Sequence, residues 1–279
     1  GDILVDRNPI SGLIPTEMSN CQYLWAIDVS NTNVSGQLVD NINALPSSLS
    51  TIRMSGLSFV GRLPSAIASF PDLGALDLSG NMISGPLPTE IGSLNKLYSL
   101  KLDRNQITGL PTEIGYLDQL YWLDLDENHI AGSLPSEVGD LTALRSLYVN
   151  RNSFNGTLPS EISLMGNLST LDLSSNEFTG SPYFLAELPA LRTVYLHGNN
   201  FVDVGGLCVV THLNLSTMVA NRCNVSATVV DCLCCTRCCD GPGLLGCRSL
   251  VGEDGTDSTD EEQYNAIRGG PSSGDRSGI

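Results

Sequence analysis

From Ile3 to Asn200 the chain repeats at an interval of 23 to 25 residues, with successive units starting at Leu24, Leu49, Leu73, Leu97, Leu120, Leu144, Leu168 and Leu191. An incomplete first copy runs through Ile3, Val5, Asn8, Ile10, Gly12, Ile14 and Pro15. One stretch shows the rule: Leu73-x-x-Leu76-x-Leu78-x-x-Asn81-x-Ile83-x-Gly85-x-Leu87-Pro88. A period of this length restricts the fold sharply. No single unit can bury its apolar face alone, so the units must stack and share one continuous core. In each unit a pair such as Leu100 and Leu102 has strand alternation, which sends two leucines inward and the residue between them toward solvent.

The ninth position carries Asn8, Asn81, Asn105, Asn128, Asn152, Asn176 and Asn199. The chain must turn there, and a turn leaves interior N–H and C=O groups that an amide side chain can satisfy from both ends. This Asn column therefore reads as structural. Thr32 substitutes a hydroxyl and Leu57 substitutes nothing, so irregularity is expected around Leu57. A Gly and then a Pro follow in most units, permitting a bend and fixing the next turn. Runs such as Pro88-Thr89-Glu90-Ile91 and Pro135-Ser136-Glu137-Val138 read as the start of a short helix with a favourable N-terminal charge.

The pattern L-x-x-L-x-L-x-x-N-x-L-x-G-x-L/I-P resembles the plant-type extracellular leucine-rich repeat of receptor-kinase ectodomains, receptor-like proteins and polygalacturonase inhibitors, over residues 2 to 207. The resemblance implies an α/β solenoid. Its form would be a right-handed superhelix with a parallel sheet on the concave face, short helical turns on the convex face and an extra strand near the G-x-L/I-P segment. The chain departs from the pattern at Leu38-Val39 and at Ser181-Pro182, and it lacks the paired-Cys cap that usually precedes the first repeat.

Three segments are expected: the solenoid at 1–207, a Cys-rich C-terminal cap at 208–249 and an acidic, Gly- and Ser-rich tail or linker at 250–279. The cap holds Cys208, Cys223, Cys232, Cys234, Cys235, Cys238, Cys239 and Cys247. Four disulfides would seal the exposed end of the stack, while the spacing from Cys232 to Cys239 also suits metal chelation. The extracellular pattern favours disulfides, so no metal is expected. The segment Cys234-Cys235-Thr236-Arg237-Cys238-Cys239 is similar to an ending found on leucine-rich repeat proteins of diatoms and related algae. Cys21 occupies a core-leucine position and is expected to be a buried free thiol. Gly1 falls at the second position of a repeat without an initiating Met or leader, as expected of a segment of a longer protein. No apolar run is long enough for a membrane span.

Five N-x-S/T triplets, at Asn33, Asn155, Asn167, Asn214 and Asn224, avoid the inward Asn column and are candidate N-glycosylation sites. They place the chain outside the cell or on its surface. With 30 acidic against 14 basic residues and a net charge of −16, nucleic acid is excluded as a partner. Catalytic motifs are missing: there is no G-x-S-x-G, no H-E-x-x-H and no kinase signature. Gly241-Pro242-Gly243-Leu244-Leu245-Gly246 has the spacing of a dinucleotide loop, but it contains Pro and follows no strand. His129, His197 and His212 fall in separate units or in the cap and read as solvated surface residues. No enzyme and no cofactor are expected.

Function must then lie on the concave face. Between the strand leucines one column runs Asp28, Arg53, Asp77, Lys101, Asp124, Tyr148, Asp172, Tyr195, and its first half reads as a self-neutralised charge ladder. The next column, Ser30, Ser55, Ser79, Asp103, Asp126, Asn150, Ser174, His197, reads as exposed. It sets two carboxylates side by side, to be offset by Lys101, Arg104 and Arg151 or by a cationic ligand such as an amine, a guanidinium or calcium. Tyr98, Tyr121, Trp122, Glu127 and His129 lie around them, whereas units 2 to 4 carry mostly Ser, Gly and Ala. The candidate ligand-binding residues are Lys101, Asp103, Arg104, Trp122, Asp124, Asp126, Glu127, Tyr148, Asn150, Arg151, Asp172, Tyr195 and His197. The expected function is recognition of a peptide, protein or glycan by a cell-surface receptor ectodomain, with a co-receptor as a further partner. The alternative is a secreted inhibitor or adhesion protein. Ice binding would favour flat, regular Thr rows, and these columns are irregular.

Overall fold

The computed structural model describes residues 1–202, residue 204 and five later strands, Thr217–Asn221, Val225–Ser226, Val229–Val230, Arg237–Cys239 and Cys247–Ser249. It is an α/β leucine-rich-repeat solenoid. Each coil contributes one short strand to a 12-stranded sheet in which sequence order is also spatial order. Neighbouring strands are parallel and in strict register; Trp122, Leu123 and Asp124 pair with Ser99, Leu100 and Lys101 on one side and Ser146, Leu147 and Tyr148 on the other. The last pair, Arg237–Cys239 with Cys247–Ser249, is antiparallel. Cys208, Cys223, Cys232, Cys234, Cys235 and the tail at 250–279 lie outside the described residues, and of Cys238, Cys239 and Cys247 only strand membership is described.

A second set of short parallel strands follows each turn, including Val60–Gly61, Met82–Pro86 and Gln106–Gly109 in one sheet and Ala131–Gly132, Ser153–Thr157, Glu177–Gly180 and Asn200–Phe201 in another. Every described coil but one then closes through a 3-10 helix entered from a Pro, as at Thr89–Ser93 after Pro88 and Thr112–Tyr116 after Pro111. Thr89 does not cap the backbone; its hydroxyl lies 3.3 Å from Glu90 Oε2, and the helix start is fixed by the Pro backbone instead. Where Pro is replaced by Val39, a true α-helix, Leu38–Asn43, takes over. Coils approach closely on this side. A Cβ on Gly115 would stand 2.5 Å from the Glu137 carbonyl oxygen of the next coil, so only Gly fits.

The core is one apolar column, with Leu76, Leu100, Leu123, Leu147 and Leu171 all but completely buried and Phe154, Phe178 and Phe201 stacked at 5.9 Å intervals. Beside it runs the Asn column. Asn128 donates through Nδ2 to the carbonyls of Leu102 (3.0 Å), Leu125 (3.0 Å) and Asp126 (3.1 Å), and its Oδ1 accepts from Ile107 N (2.9 Å). The pattern is shared between coils: Leu102 O accepts from Asn105 and Asn128, and Leu125 O accepts from Asn128 and Asn152. Asn81, Asn176 and Asn199 make equivalent bonds. Asn8 differs from the inward position expected of it: it is exposed and bonds only to Val5 O and Asp6 O, because it belongs to the outermost coil.

Thr32 bonds to Val29 O through its hydroxyl (2.7 Å). At Leu57 the turn is irregular: Ser58 takes φ +58°, and Asn81 Oδ1 accepts from both Leu57 N (3.2 Å) and Phe59 N (2.9 Å). Cys21 is a free thiol, but it is exposed rather than buried. Its core-leucine position lies in the first coil, whose outer face no other coil covers in this structure.

Candidate functional site

The concave face in coils 5 to 7 gathers large side chains where other coils carry small ones. At the strand start the row reads Ala26, Thr51, Ala75, Ser99, Trp122, Ser146, Thr170, Thr193. Trp122 is half-buried, packs on Tyr148 with ring centroids 5.2 Å apart, and receives Lys101 Nζ at 5.3 Å from its centroid. Beside it Tyr98 and Tyr121 pack 6.3 Å apart. Tyr98 lies across Gly74, where a Cβ would come within 2.7 Å of the ring, and it remains 46% exposed. The result is a band of four rings with a cation on one edge.

The strand middle does not form the expected charge ladder. Among the described residues the salt bridges join Arg7 to Asp6, Lys96 to Asp72, Arg104 to Asp103 and Arg151 to Glu127. None links Asp28, Arg53, Asp77 and Lys101. The aspartates serve the backbone instead. Asp77 Oδ1 accepts from Ser79 N (3.0 Å) and Ser79 Oγ (2.7 Å), Asp172 Oδ1 from Ser174 N (2.9 Å) and Oγ (2.6 Å), and Asp28 Oδ1 from Ser30 N (3.0 Å). These are local carboxylate-to-backbone bonds two residues apart, which end each strand.

The row expected to be exposed is buried except at Ser55 and Ser79, which are half-buried. Asp126 and Asn150 retain at most 1% of their accessible surface, Asp103 and His197 are also buried, and so are Asp124, Tyr148 and Asp172. The reason is steric. Side chains on the inside of a curved sheet converge, and this row is flanked by Tyr148, Arg104, Arg151 and Trp122, the last standing where other coils have Ala, Ser or Thr. Asp103, Asp124 and Asp126 can each bring an oxygen within 4.8 Å of the others, and Arg104 Nε offsets Asp103 at 3.1 Å. Asn150 Nδ2 reaches Asp126 Oδ2 at 3.4 Å. His197, read from sequence as a solvated residue, is held neutral: burial first, and the nearby Arg151 charge second, lower its pKa from 6.5 to about 4. His129 is exposed but lies beyond Asn128, off the concave strand.

Accessible at this site are Arg104 and Arg151, which are exposed, and Lys101, Trp122, Glu127 and Tyr195, which are half-buried. Arg104, Glu127 and Arg151 share a backbone feature that pattern reading did not find. They sit one residue beyond the buried row with φ of +54°, +49° and +53°. Bulky residues there cost about 1–2 kcal/mol each. A signal was present: the same row elsewhere reads Arg7, Asn31, Gly56, Gly80, Ser175, Gly198, and its Gly and Asn members are the residues that tolerate positive φ. Trp25, half exposed at the near end of the same face, was also missed.

The leucine-rich repeat region profile matches residues 57–198. No curated protein is significantly similar to the chain. Among solved structures, the plant peptide hormone receptor RGFR1 in complex with RGF2 is 29% identical with a TM-score of 0.68, covering 79% of this chain and 36% of its own. The Arabidopsis receptor kinase HAESA ectodomain, in complex with an N-terminally extended IDA peptide hormone, is 26% identical with a TM-score of 0.70, covering 78% of this chain and 37% of its own. A plant ice-binding protein is 26% identical with a TM-score of 0.55, covering 71% of this chain and 72% of its own. The chain thus spans about a third of the length of the two receptors. With its period, its Asn-bonded turns and this profile match over half its length, the chain belongs to the leucine-rich repeat family.

Proposed function

We propose that this chain is an extracellular recognition module, the ligand-binding part of a cell-surface leucine-rich repeat receptor, and that it takes a peptide or protein segment across coils 5 to 7 of its concave face. The observation that carries this reading is the gathering of Lys101, Arg104, Trp122, Glu127, Tyr148 and Arg151 in three consecutive coils, where Trp122 stands in a row otherwise of Ala, Ser and Thr and Arg104, Glu127 and Arg151 take a costly backbone conformation. Rigid rings beside exposed arginines give large contact area at low entropic cost. The structural neighbours RGFR1 and HAESA are seen with peptide hormones bound, which supports a peptide as ligand. The ice-binding neighbour does not bring the same reading, because the rows here vary from Ser to Trp and from Asp to His.

The test is selection of displayed random peptides on the purified protein, followed by affinity measurement against Trp122→Ala and Arg151→Ala. Selected peptides should lose about tenfold or more in affinity with either variant, the 1.4 kcal/mol or more typical of a central anchor. Peptides that bind both variants as tightly as the parent protein, or a selection that enriches none, would overturn the assignment.

A further inference from the structure

The chain holds two classes of asparagine that its structure separates cleanly. Those of the inward column are fully engaged; Asn105, for example, donates to Leu78 O, Leu102 O and Asp103 O and accepts from Ile83 N. Asn33 and Asn155 are the opposite case. Both are exposed, both stand on strands of the second set, Asn33–Val34 and Ser153–Thr157, which belong to separate sheets, and neither side-chain amide makes a hydrogen bond among the described residues. Each strand buries the residue beside the asparagine, Val34 and Phe154, so alternation turns the amide outward. Each asparagine begins an N-x-S/T triplet, Asn33-Val34-Ser35 and Asn155-Gly156-Thr157. In the strand register Asn155 pairs with Glu177, and Glu177, Ser153 and Thr157 are all exposed, so the amide stands among solvent-facing side chains. Asn167 is different: its Nδ2 donates to Thr142 O at 2.9 Å.

We infer that Asn33 and Asn155 are N-glycosylated, with a lipid-diphosphate-linked oligosaccharide as the donor. Nδ2 forms a bond to the anomeric carbon of the sugar and gives up one proton, the carbon–oxygen bond to the diphosphate breaks, and the lipid diphosphate leaves. No oxidation state changes. The two sites are five coils apart, about 24 Å at the strand spacing, and both lie on the second-sheet side. The rings of Tyr98, Tyr121 and Trp122 occupy the start of the concave strands, away from it. This assignment does not depend on the peptide-binding reading.

The test is secretion of the full chain from a eukaryotic host, with intact mass measured before and after treatment with a peptide amidase that removes N-glycans. The parent protein should lose mass on treatment, and Asn33→Gln and Asn155→Gln should each be lighter by one glycan while keeping the parent melting temperature. Ser35→Ala and Thr157→Ala abolish the triplets without touching either asparagine and should produce the same mass losses. They decide the matter if a Gln variant fails to fold. A parent protein that leaves the host at its sequence mass, or Ser35→Ala and Thr157→Ala variants as heavy as the parent, would overturn the assignment.

Discussion

Replacing Asn128 by Ala tests the physical account of the turns. The side chain is 4% exposed and fills four hydrogen bonds, three as donor and one as acceptor. Leu102 O and Leu125 O keep partners in Asn105 and Asn152 after the change, but Ile107 N loses its acceptor inside the core. An orphaned buried N–H costs roughly 1–3 kcal/mol, and loss of the packed amide atoms adds about 1 kcal/mol. The expected loss is therefore about 2–4 kcal/mol. Asn8→Ala is the control: its two bonds are made at an exposed site where water replaces them, so its cost should stay below about 0.5 kcal/mol. Asn128→Asp keeps the acceptor but sets a carboxylate against three carbonyls, and at neutral pH it should cost more than the Ala change. Urea unfolding followed by circular dichroism gives the three midpoints and slopes. The reasoning fails if Asn128→Ala unfolds within about 0.5 kcal/mol of the parent, or if Asn8→Ala costs as much.

Three further outcomes follow from the same structure. Since the His197 pKa falls from 6.5 to about 4 on folding, the unfolded chain binds the extra proton between those values, so this group's stabilisation is complete above about pH 6.5 and declines as pH falls toward 4, by roughly 3 kcal/mol in all. His197→Gln should flatten that part of the stability curve, and an unchanged slope would refute the burial argument. Gly115→Ala should lose about 1–3 kcal/mol through collision with the Glu137 carbonyl, whereas Gly132→Ala, with φ +90° and open space around it, should lose only the smaller backbone cost, as melting temperatures would show. Gly74→Ala should displace the Tyr98 ring without disturbing Trp122, so tyrosine accessibility to iodination or fluorescence quenching should change while the tryptophan emission does not.

The repeat period alone defined the stack, because a 24-residue unit with an L-x-L pair and an inward Asn has few other ways to bury its leucines. What resisted reading were properties that depend on the neighbouring coil. Asn8 and Cys21 carry the residues of inward positions, yet both are exposed in this structure, where they belong to the first coil described. Asp126 alternates correctly with the leucines and still is buried, since strand alternation gives direction and not depth. The aspartates of the strand middle looked like partners for Arg53 and Lys101, but the nearest donor to a short carboxylate is the N–H two residues on. The αL row was legible in principle from its Gly and Asn members. It escaped because Arg104, Glu127 and Arg151 are the residues that conceal it.

The amides of the turns also act as a chain of couplings, each tying one coil to the strand end of the coil before it. Leu57 breaks this chain. Asn81 reaches back to Met54 O, but no side chain of the third coil reaches Val29 O, which accepts only the Thr32 hydroxyl of its own coil. Nearest-neighbour coupling is what makes a repeat array melt as one body, and here the second and third coils are held by their backbone ladder, Val29 N donating to Arg53 O and Asn31 N to Ser55 O, and by the shared core instead of by an amide side chain. The aromatic and charged patch lies wholly within the coils that six successive amide links, from Asn81 to Asn199, hold in step. Strain at Arg104, Glu127 and Arg151 is thereby borne by coils that amide side chains tie to their neighbours on both sides.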